Sequence, residues 1–235
     1  MFKKNDLFFV IGVIAFFAPF FLSEAVYSFY KDFNSAHGMI TSFIKFAILA
    51  TLGEVIGLRI RTGLYNRKGF GIVPRAIVLG FLGLTIKLSF VIFATGTPAF
   101  LQYLGIDMGI GTDTEIMKGA FGVEKLLGAF AISLFMNTIY APIMMTLHKI
   151  TDIHITENGG TISGLLTPIK FRKIFPELNW DVQWNFVFKK TIPFFWIPAH
   201  TITFLLPPDF QVLFAAILGI ALGVILAIAA QMSEK

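Results

Sequence analysis

An all-α bundle of about six membrane-spanning helices is the fold class that this sequence predicts, on three observations. Six apolar stretches, at 7–30, 39–60, 72–94, 119–147, 184–206 and 210–230, each reach the roughly 20 residues a helix needs to cross a hydrocarbon core. Lysine and arginine fall almost entirely on alternate connections between them. Hydrophobic residues make up 56% of the chain and charged residues 14%, against about 45–50% and about 25% in soluble domains. In lipid, only helices and closed barrels satisfy their own backbone, and runs of this length read as helices. Little of the 235 residues is left over, so 1–235 is expected to form a single integral membrane domain.

The first stretch follows Lys3 and Lys4 and continues past Pro19. A cleaved signal peptide has a shorter apolar core and then a small-residue cleavage site, so this stretch is expected to be a retained span. The second carries Ala50, Gly53, Gly57 and Arg61 on one face, with Glu54 beside them and Lys45 in its other half. On the third, Ala76, Gly80, Gly83 and Lys87 share a face. Small residues let helices approach closely, so these are packing faces, two of them with an ionisable group set in. The fourth holds Glu124 and Lys125 near its start, then Ser133, Asn137 and Pro142.

The connection at 148–183 is the longest. Asn158-Gly159-Gly160 marks a turn. Leu165, Leu166, Phe171, Ile174 and Phe175 then mix with Lys170, Arg172 and Lys173, and Trp180 and Trp184 follow. That composition predicts an interfacial amphipathic segment in the headgroup region, anchored by the two tryptophans. Pro168 and Pro176 keep any helix there short. The fifth stretch is the most unusual, with Lys189, Lys190, Thr191, Pro193, Trp196, Pro198, His200, Thr201 and Thr203 before Pro207 and Pro208. Pro193 and Pro198 remove backbone donors at bilayer depth. Broken backbone of this kind is tolerated where it is buried in protein or lines a cavity. A plain kink relieved by Thr191, Thr201 or Thr203 is the simpler alternative. The last stretch repeats the small-residue pattern at Ala216, Gly219, Gly223, Ala227 and Ala230.

Orientation follows from charge. Fourteen basic residues fall on one side: Lys3, Lys4, Arg59, Arg61, Arg67, Lys68, Arg75, Lys149, Lys170, Arg172, Lys173, Lys189, Lys190 and Lys235. Only Lys31 and Lys118 fall on the other, beside Asp32, Asp107, Asp113, Glu115 and Asp209. The positive-inside rule puts both termini in the cytoplasm or its equivalent.

The net charge of +5 is spread over loops and forms no stripe, so nucleic acid is excluded as a partner and anionic lipid headgroups on the cytoplasmic side are expected. There is no cysteine, which rules out disulfides and thiolate metal sites. G-x-S-x-G, H-E-x-x-H and the phosphate-binding G-x-x-x-x-G-K-[ST] are all missing, and Gly109-Ile110-Gly111 lacks the third glycine of a dinucleotide loop. His37, His148, His154 and His200 suit no common zinc spacing. The expectation is a protein without enzymatic activity, cofactor or metal.

The informative residues are the ionisable ones inside spans: Glu24, Lys45, Glu54, Lys87, Glu124 and Lys125. Each costs at least about 2.5–3.5 kcal/mol near mid-bilayer unless paired or hydrated. They read either as ion pairs locking the bundle or as the lining of an aqueous path. The pore reading assigns the path to Glu54, Lys87, Lys45, Asn137, Trp196, His200 and Thr203. It assigns an ion-pair gate to Glu54 with Arg59, Arg61 or Arg75, and helix breaks to Pro142, Pro193 and Pro198. The function expected is a channel or passive transporter for small hydrophilic solutes. A proton- or sodium-coupled transporter and a structural protein without a pore are the alternatives, and a homo-oligomer is open to either.

The segment from Trp196 through Pro198, His200, Phe204 and Pro207 to Phe214 resembles the closing signature of the Mpv-seventeen and peroxisomal-membrane-protein family. Asn179-Trp180, Asn137 with Ala141-Pro142-Ile143, and Gly53-Glu54 followed by Arg59 and Arg61 are similar to further motifs of that family. His200, Thr203 and Gln211 stand where it usually has glutamine, asparagine and arginine, and the family is usually described with four spans. The resemblance implies a pore-like protein for small solutes or metabolites. The Met1-Phe2-Lys3-Lys4 start, without an Arg/Ser-rich stretch, gives a bacterial inner membrane as the expected location, with a mitochondrial inner or peroxisomal membrane as the alternative.

Overall fold

The computed structural model describes residues 3–106 and 121–233, with side chains as far as 225 in the second stretch. Asp107, Gly109, Ile110, Gly111, Asp113, Glu115, Lys118, the start of the fourth predicted span and Lys235 lie outside the described residues, as do the side chains of Ala227 and Ala230. The described chain is helical throughout, in the order α1 (Lys4–Leu22), α2 (Glu24–Ala36), α3 (Gly38–Thr62), α4 (Ile72–Tyr103), α5 (Val123–Glu157), α6 (Ile162–Leu165), α7 (Phe171–Glu177), α8 (Trp180–Val182), a π-helix (Gln183–Trp196), α9 (Ile197–Leu205) and α10 (Pro208–Ser233). Among the described residues, five helices are long and apolar enough to cross a membrane: Lys4–Leu22, Gly38–Thr62, Ile72–Tyr103, Val123–Glu157 and Pro208–Ile225. The chain is a helical membrane protein.

It divides into two compact units, Met1–Thr41 and Ser42–Lys235, where the sequence predicts one domain. In the first, the predicted 7–30 span ends early. Ser23 leaves helical geometry at φ −122°, and its hydroxyl accepts from the Val26 amide at 3.4 Å, capping α2. Glu24 therefore sits exposed in the first turn of α2, where the helix dipole favours a carboxylate, and outside the apolar helix Lys4–Leu22. Glu124 stands likewise in the first turn of α5.

The second unit is held by the small-residue faces. A Cβ at Gly80 would meet the Phe43 ring at 2.6 Å, and one at Gly83 would meet Phe46 Cβ at 2.6 Å and the Ser42 carbonyl at 2.8 Å, so α4 touches α3 backbone to backbone. Further along α3, a Cβ at Gly53 would lie 3.0 Å from Ile220 Cα, and one at Gly57 3.8 Å from the Gly223 carbonyl of α10. α5 is the central helix, packed against α4, the π-helix, α7 and α9.

α5 runs on to Glu157, past the predicted end at 147 and through the first part of the 148–183 connection. The extension is amphipathic. Ile150 is buried with Ile174 and Leu178, which fold back against it beside Ile153, Ile169 and Trp180. The interfacial segment thus splits its apolar residues: Ile174 and Leu178 pack inward, while Leu166, Phe171 and Phe175 stay exposed. Trp180 Nε1 donates to the Phe175 carbonyl at 3.0 Å.

The fifth predicted span is helical but broken in gauge. A proline ring clashes with the carbonyl four residues back in an α-helix. Around Pro193 the chain instead takes the wider π geometry, closed by the Ile197 amide bonding to the Ile192 carbonyl. Thr191 Oγ1 donates to the Phe186 carbonyl five residues back at 3.3 Å. α9 then resumes normal geometry with Pro198 in its first turn, where a missing amide costs nothing. Pro142 lies inside α5 and its carbonyl accepts from Thr146 Oγ1 at 2.7 Å.

Gly83→Val is expected to lose about 1–3 kcal/mol of stability by forcing α4 off α3. Gly96→Ala, at a position with nothing within 4 Å, is expected to be neutral or slightly stabilising. Thermal melts of the two variants in detergent check the contrast.

Candidate functional site

Three glycines set the position of the key cation. Gly69, Gly71 and Gly160 have φ of 82°, 71° and 67°, a region costly for other residues. They also touch, since a Cβ on Gly160 would lie 2.7 Å from the Gly69 carbonyl carbon and one on Gly71 would lie 2.8 Å from Gly160 Cα. The turn entering α4 is thereby pinned to the turn leaving α5. One turn into α4, Arg75 is buried between the two helices.

Arg75 uses nearly every donor it has. Nε donates to the Phe70 carbonyl at 2.7 Å, Nη1 to Glu54 Oε2 at 2.6 Å and to Asp152 Oδ1, and Nη2 reaches Thr156 Oγ1 at 3.5 Å. The Phe70 ring centroid lies 4.6 Å from the guanidinium. His148 Nε2 stands 3.0 Å from Glu54 Oε1 and 3.7 Å from Asp152 Oδ1. A carboxylate only accepts, so that nitrogen carries its proton. One cluster thus ties α3, α4 and α5 together. The buried guanidinium is stabilised here by two carboxylates.

Deeper in the bundle is a second, uncharged relay. Ser133 Oγ donates to the Ile197 carbonyl at 2.7 Å, which Thr201 Oγ1 also bonds at 2.7 Å. Asn137 Nδ2 donates to the Ser133 carbonyl at 2.8 Å, with Ser133 Oγ at 3.2 Å. Its Oδ1 therefore faces His200 Nδ1 at 3.1 Å, and Nδ1 must be the donor. The imidazole proton is fixed on Nδ1 and Nε2 keeps its lone pair. Trp196 stacks on this ring at 5.0 Å between centroids, and its Nε1 is buried without a hydrogen-bond partner among the described residues. Ser133, Asn137 and His200 are all less than a tenth exposed.

Cluster and relay lie along one cavity of about 910 Å³, within the size range of small-molecule sites, about 300–1,000 Å³. On α5 its lining runs from Met136 to Glu157, a rise of roughly 30 Å. Arg61, Arg67 and Glu157 stand at the outer end, then the Arg75 cluster with Lys149 at its level on α5, then an apolar waist with Leu79, Leu82, Met144 and Met145, and finally Asn137, Trp196 and His200. Tyr140, also lining, shares a 2.6 Å hydrogen bond with Thr85.

Of the residues predicted to line a path, Glu54, Asn137, Trp196 and His200 are brought onto this wall. Lys45, Lys87 and Thr203 are not. Lys45 is buried with Lys87 and Asp209 in electrostatic reach, and Thr203 is buried and bonds the Ala199 carbonyl at 2.9 Å. Of the three arginines offered as partners of Glu54, Arg75 makes the pair. Arg61 lines the outer end, and Arg59 lies 5.6 Å from the Tyr65 ring centroid. Among the helix-breaking prolines, Pro193 lies within the π-helix, while Pro142 and Pro198 sit in otherwise regular helix. Sequence reasoning missed His148 and Asp152. Their spacing of four residues on an extended α5 was the available signal, hidden by placing the helix end at 147.

Glu54, His148 and Asp152 bring three ligand atoms within 4.8 Å of one another, a spacing a metal ion accepts. Both carboxylates are engaged by Arg75, so a cation there would have to displace a guanidinium. Compared with protein-family models, curated proteins and solved structures, the chain matches none.

Arg75→Gln strands two carboxylates and is expected to cost on the order of 3 kcal/mol. Adding Glu54→Gln and Asp152→Asn to it is expected to recover much of that loss, read as melting temperature in detergent.

Proposed function

We propose that this protein is a membrane channel or passive transporter for small hydrophilic solutes, with the cavity as the solute's route. The observation that carries the reading is the 910 Å³ cavity inside a lipid-facing helix bundle, charged at one end and polar at the other. A bundle that needed only to be stable would fill this volume with side chains, since interiors pack to crystal-like density. The unmet Trp196 donor beside the His200 relay supports it too. An unsatisfied buried donor costs about 1–3 kcal/mol, which a hydroxyl-bearing solute or water would offset.

In this reading the segment 184–206 completes a sixth crossing. Both termini then lie on the cytoplasmic side, and the charged end of the cavity opens to the cytoplasm. The prolines and π geometry are what let a crossing helix turn polar groups toward the route. The Arg75 cluster acts as the inner gate: its three carrier helices can separate only if the ion pairs break or hydrate. The similarity of the Trp196–Phe214 region to the Mpv-seventeen family, and a bacterial inner membrane as the location, belong to the same proposal.

Because the chain has no cysteine, single cysteines report directly on water and sidedness. Met145→Cys and Ala141→Cys, both in the cavity wall, are expected to react with a membrane-impermeant thiol reagent. Arg172→Cys is expected to react only from the cytoplasmic side. In liposomes, the purified protein is expected to release small polyols, with His200→Leu slowing release several-fold. Vesicles that retain every solute despite verified insertion, together with unreactive wall cysteines, sink the proposal.

A further inference from the structure

The cavity's charges are not distributed evenly, and the imbalance identifies the class of solute. Three carboxylates line the cavity, and each is already engaged. Glu54 and Asp152 share Arg75, and Glu157 accepts from Lys173 at 3.0 Å. That hydrogen bond and the Glu157 charge hold the exposed Lys173 ammonium above its usual range. Four cations line the cavity. Arg75 is consumed by the two inner carboxylates, whereas Arg61, Arg67 and Lys149 make no direct ion pair and no side-chain hydrogen bond among the described residues, Lys149 acting on Asp152 only at longer range. They come from three separate places: the last turn of α3, the turn leading into α4, and α5. All three are exposed and line the charged half of one cavity, Arg61 and Arg67 toward its outer end and Lys149 level with the Arg75 cluster.

We propose that this cavity selects small organic anions, carboxylates or phosphate esters in class, through Arg61, Arg67 and Lys149 in its charged half. The proposal rests on the transport reading above and adds the sign of the cargo. Low-dielectric walls focus the field of the three cations into the opening and raise the local concentration of anions. The inner carboxylates oppose this only in part, because both are engaged by Arg75 and Glu54 also by His148. Arg75 therefore has a second consequence besides holding α3 to α5: it offsets part of the negative charge of the route. The anion's organic part then meets the Met144 and Met145 waist and the hydrogen-bonding groups beyond it.

Three solutes of one size and different charge test the idea: gluconate, sorbitol and N-methylglucamine. The full-length protein in vesicles of zwitterionic lipid keeps lipid charge out of the result. At low salt, gluconate is expected to pass about tenfold faster than N-methylglucamine, with sorbitol between them. The ratio is expected to fall toward one as ionic strength rises and the Debye length shrinks below about 10 Å. The triple variant Arg61→Gln, Arg67→Gln, Lys149→Gln is expected to abolish the preference. If it does not fold, as judged by melting, the three single variants are each expected to lower the ratio about two-fold. The double variant Lys170→Gln, Arg172→Gln removes charge from the same connection but away from the cavity, and is expected to leave the ratio unchanged. A wild-type ratio of one or below, with sorbitol still crossing, overturns the anion assignment and leaves transport standing. A ratio lost equally in the control double variant overturns it too, because diffuse surface charge then accounts for the preference. Vesicles that release none of the three solutes overturn the transport reading and this inference with it.

Discussion

A guanidinium held between two carboxylates is the interaction on which the rest of the larger unit depends. Arg75 binds Glu54 of α3, Asp152 of α5 and the backbone of its own approach turn at Phe70. Bringing any of these charges out of water alone would cost several kcal/mol, and the mutual pairing is what makes their positions tolerable. The geometry is exacting, because Arg75 must enter from a turn that three touching glycines set. The same pairing explains why α5 continues beyond the length a membrane crossing requires: its last turns carry Asp152 and Thr156 to the guanidinium, and His148 to Glu54.

A second constraint shapes the deeper part of the bundle. Pro193 denies the π-helix a regular α-helical ladder, and hydroxyls add bonds to the backbone carbonyls, from within the segment at Thr191 and Thr201 and from α5 at Ser133. Once Ser133 bonds the Ile197 carbonyl, Asn137 is oriented, and once Asn137 is oriented the proton on His200 is assigned. A backbone irregularity is thus converted, through three side chains, into a defined acceptor on the wall of a cavity. Polar networks of this kind specify one arrangement because every member has a direction.

The helix faces and the cavity are connected by the same small residues. Gly53 and Gly57 bring α3 onto α10, Gly80 and Gly83 bring α4 onto α3, and Gly53, Gly57 and Gly223 also line the cavity. Gly219, which meets nothing within 4 Å, lies on the open side and lines the cavity.

Much of the helical layout was legible in the sequence, because lipid imposes a simple rule on length and polarity. The apolar runs marked the long helices, and the steps of three and four between small residues marked the faces at Gly53, Gly57, Gly80 and Gly83 that pack. Glu54, Asn137, Trp196 and His200 were also legible as side chains too polar for their surroundings. The break at Ser23 was not, since apolar character continues across it and only a local cap ends the helix. Nor were His148 and Asp152 legible as partners: a charged residue near the end of an apolar run reads as loop until another helix supplies its counter-charge. Choosing Arg75 over Arg59 and Arg61, and setting Lys45 and Lys87 apart from the cavity, required knowing which faces of α3, α4 and α5 meet. Sequence periodicity determines what a helix presents on each face, because it depends on neighbours along one chain. Which ion pairs form and where space remains depends on distances between chain segments far apart in sequence, and those exist only in the packed structure.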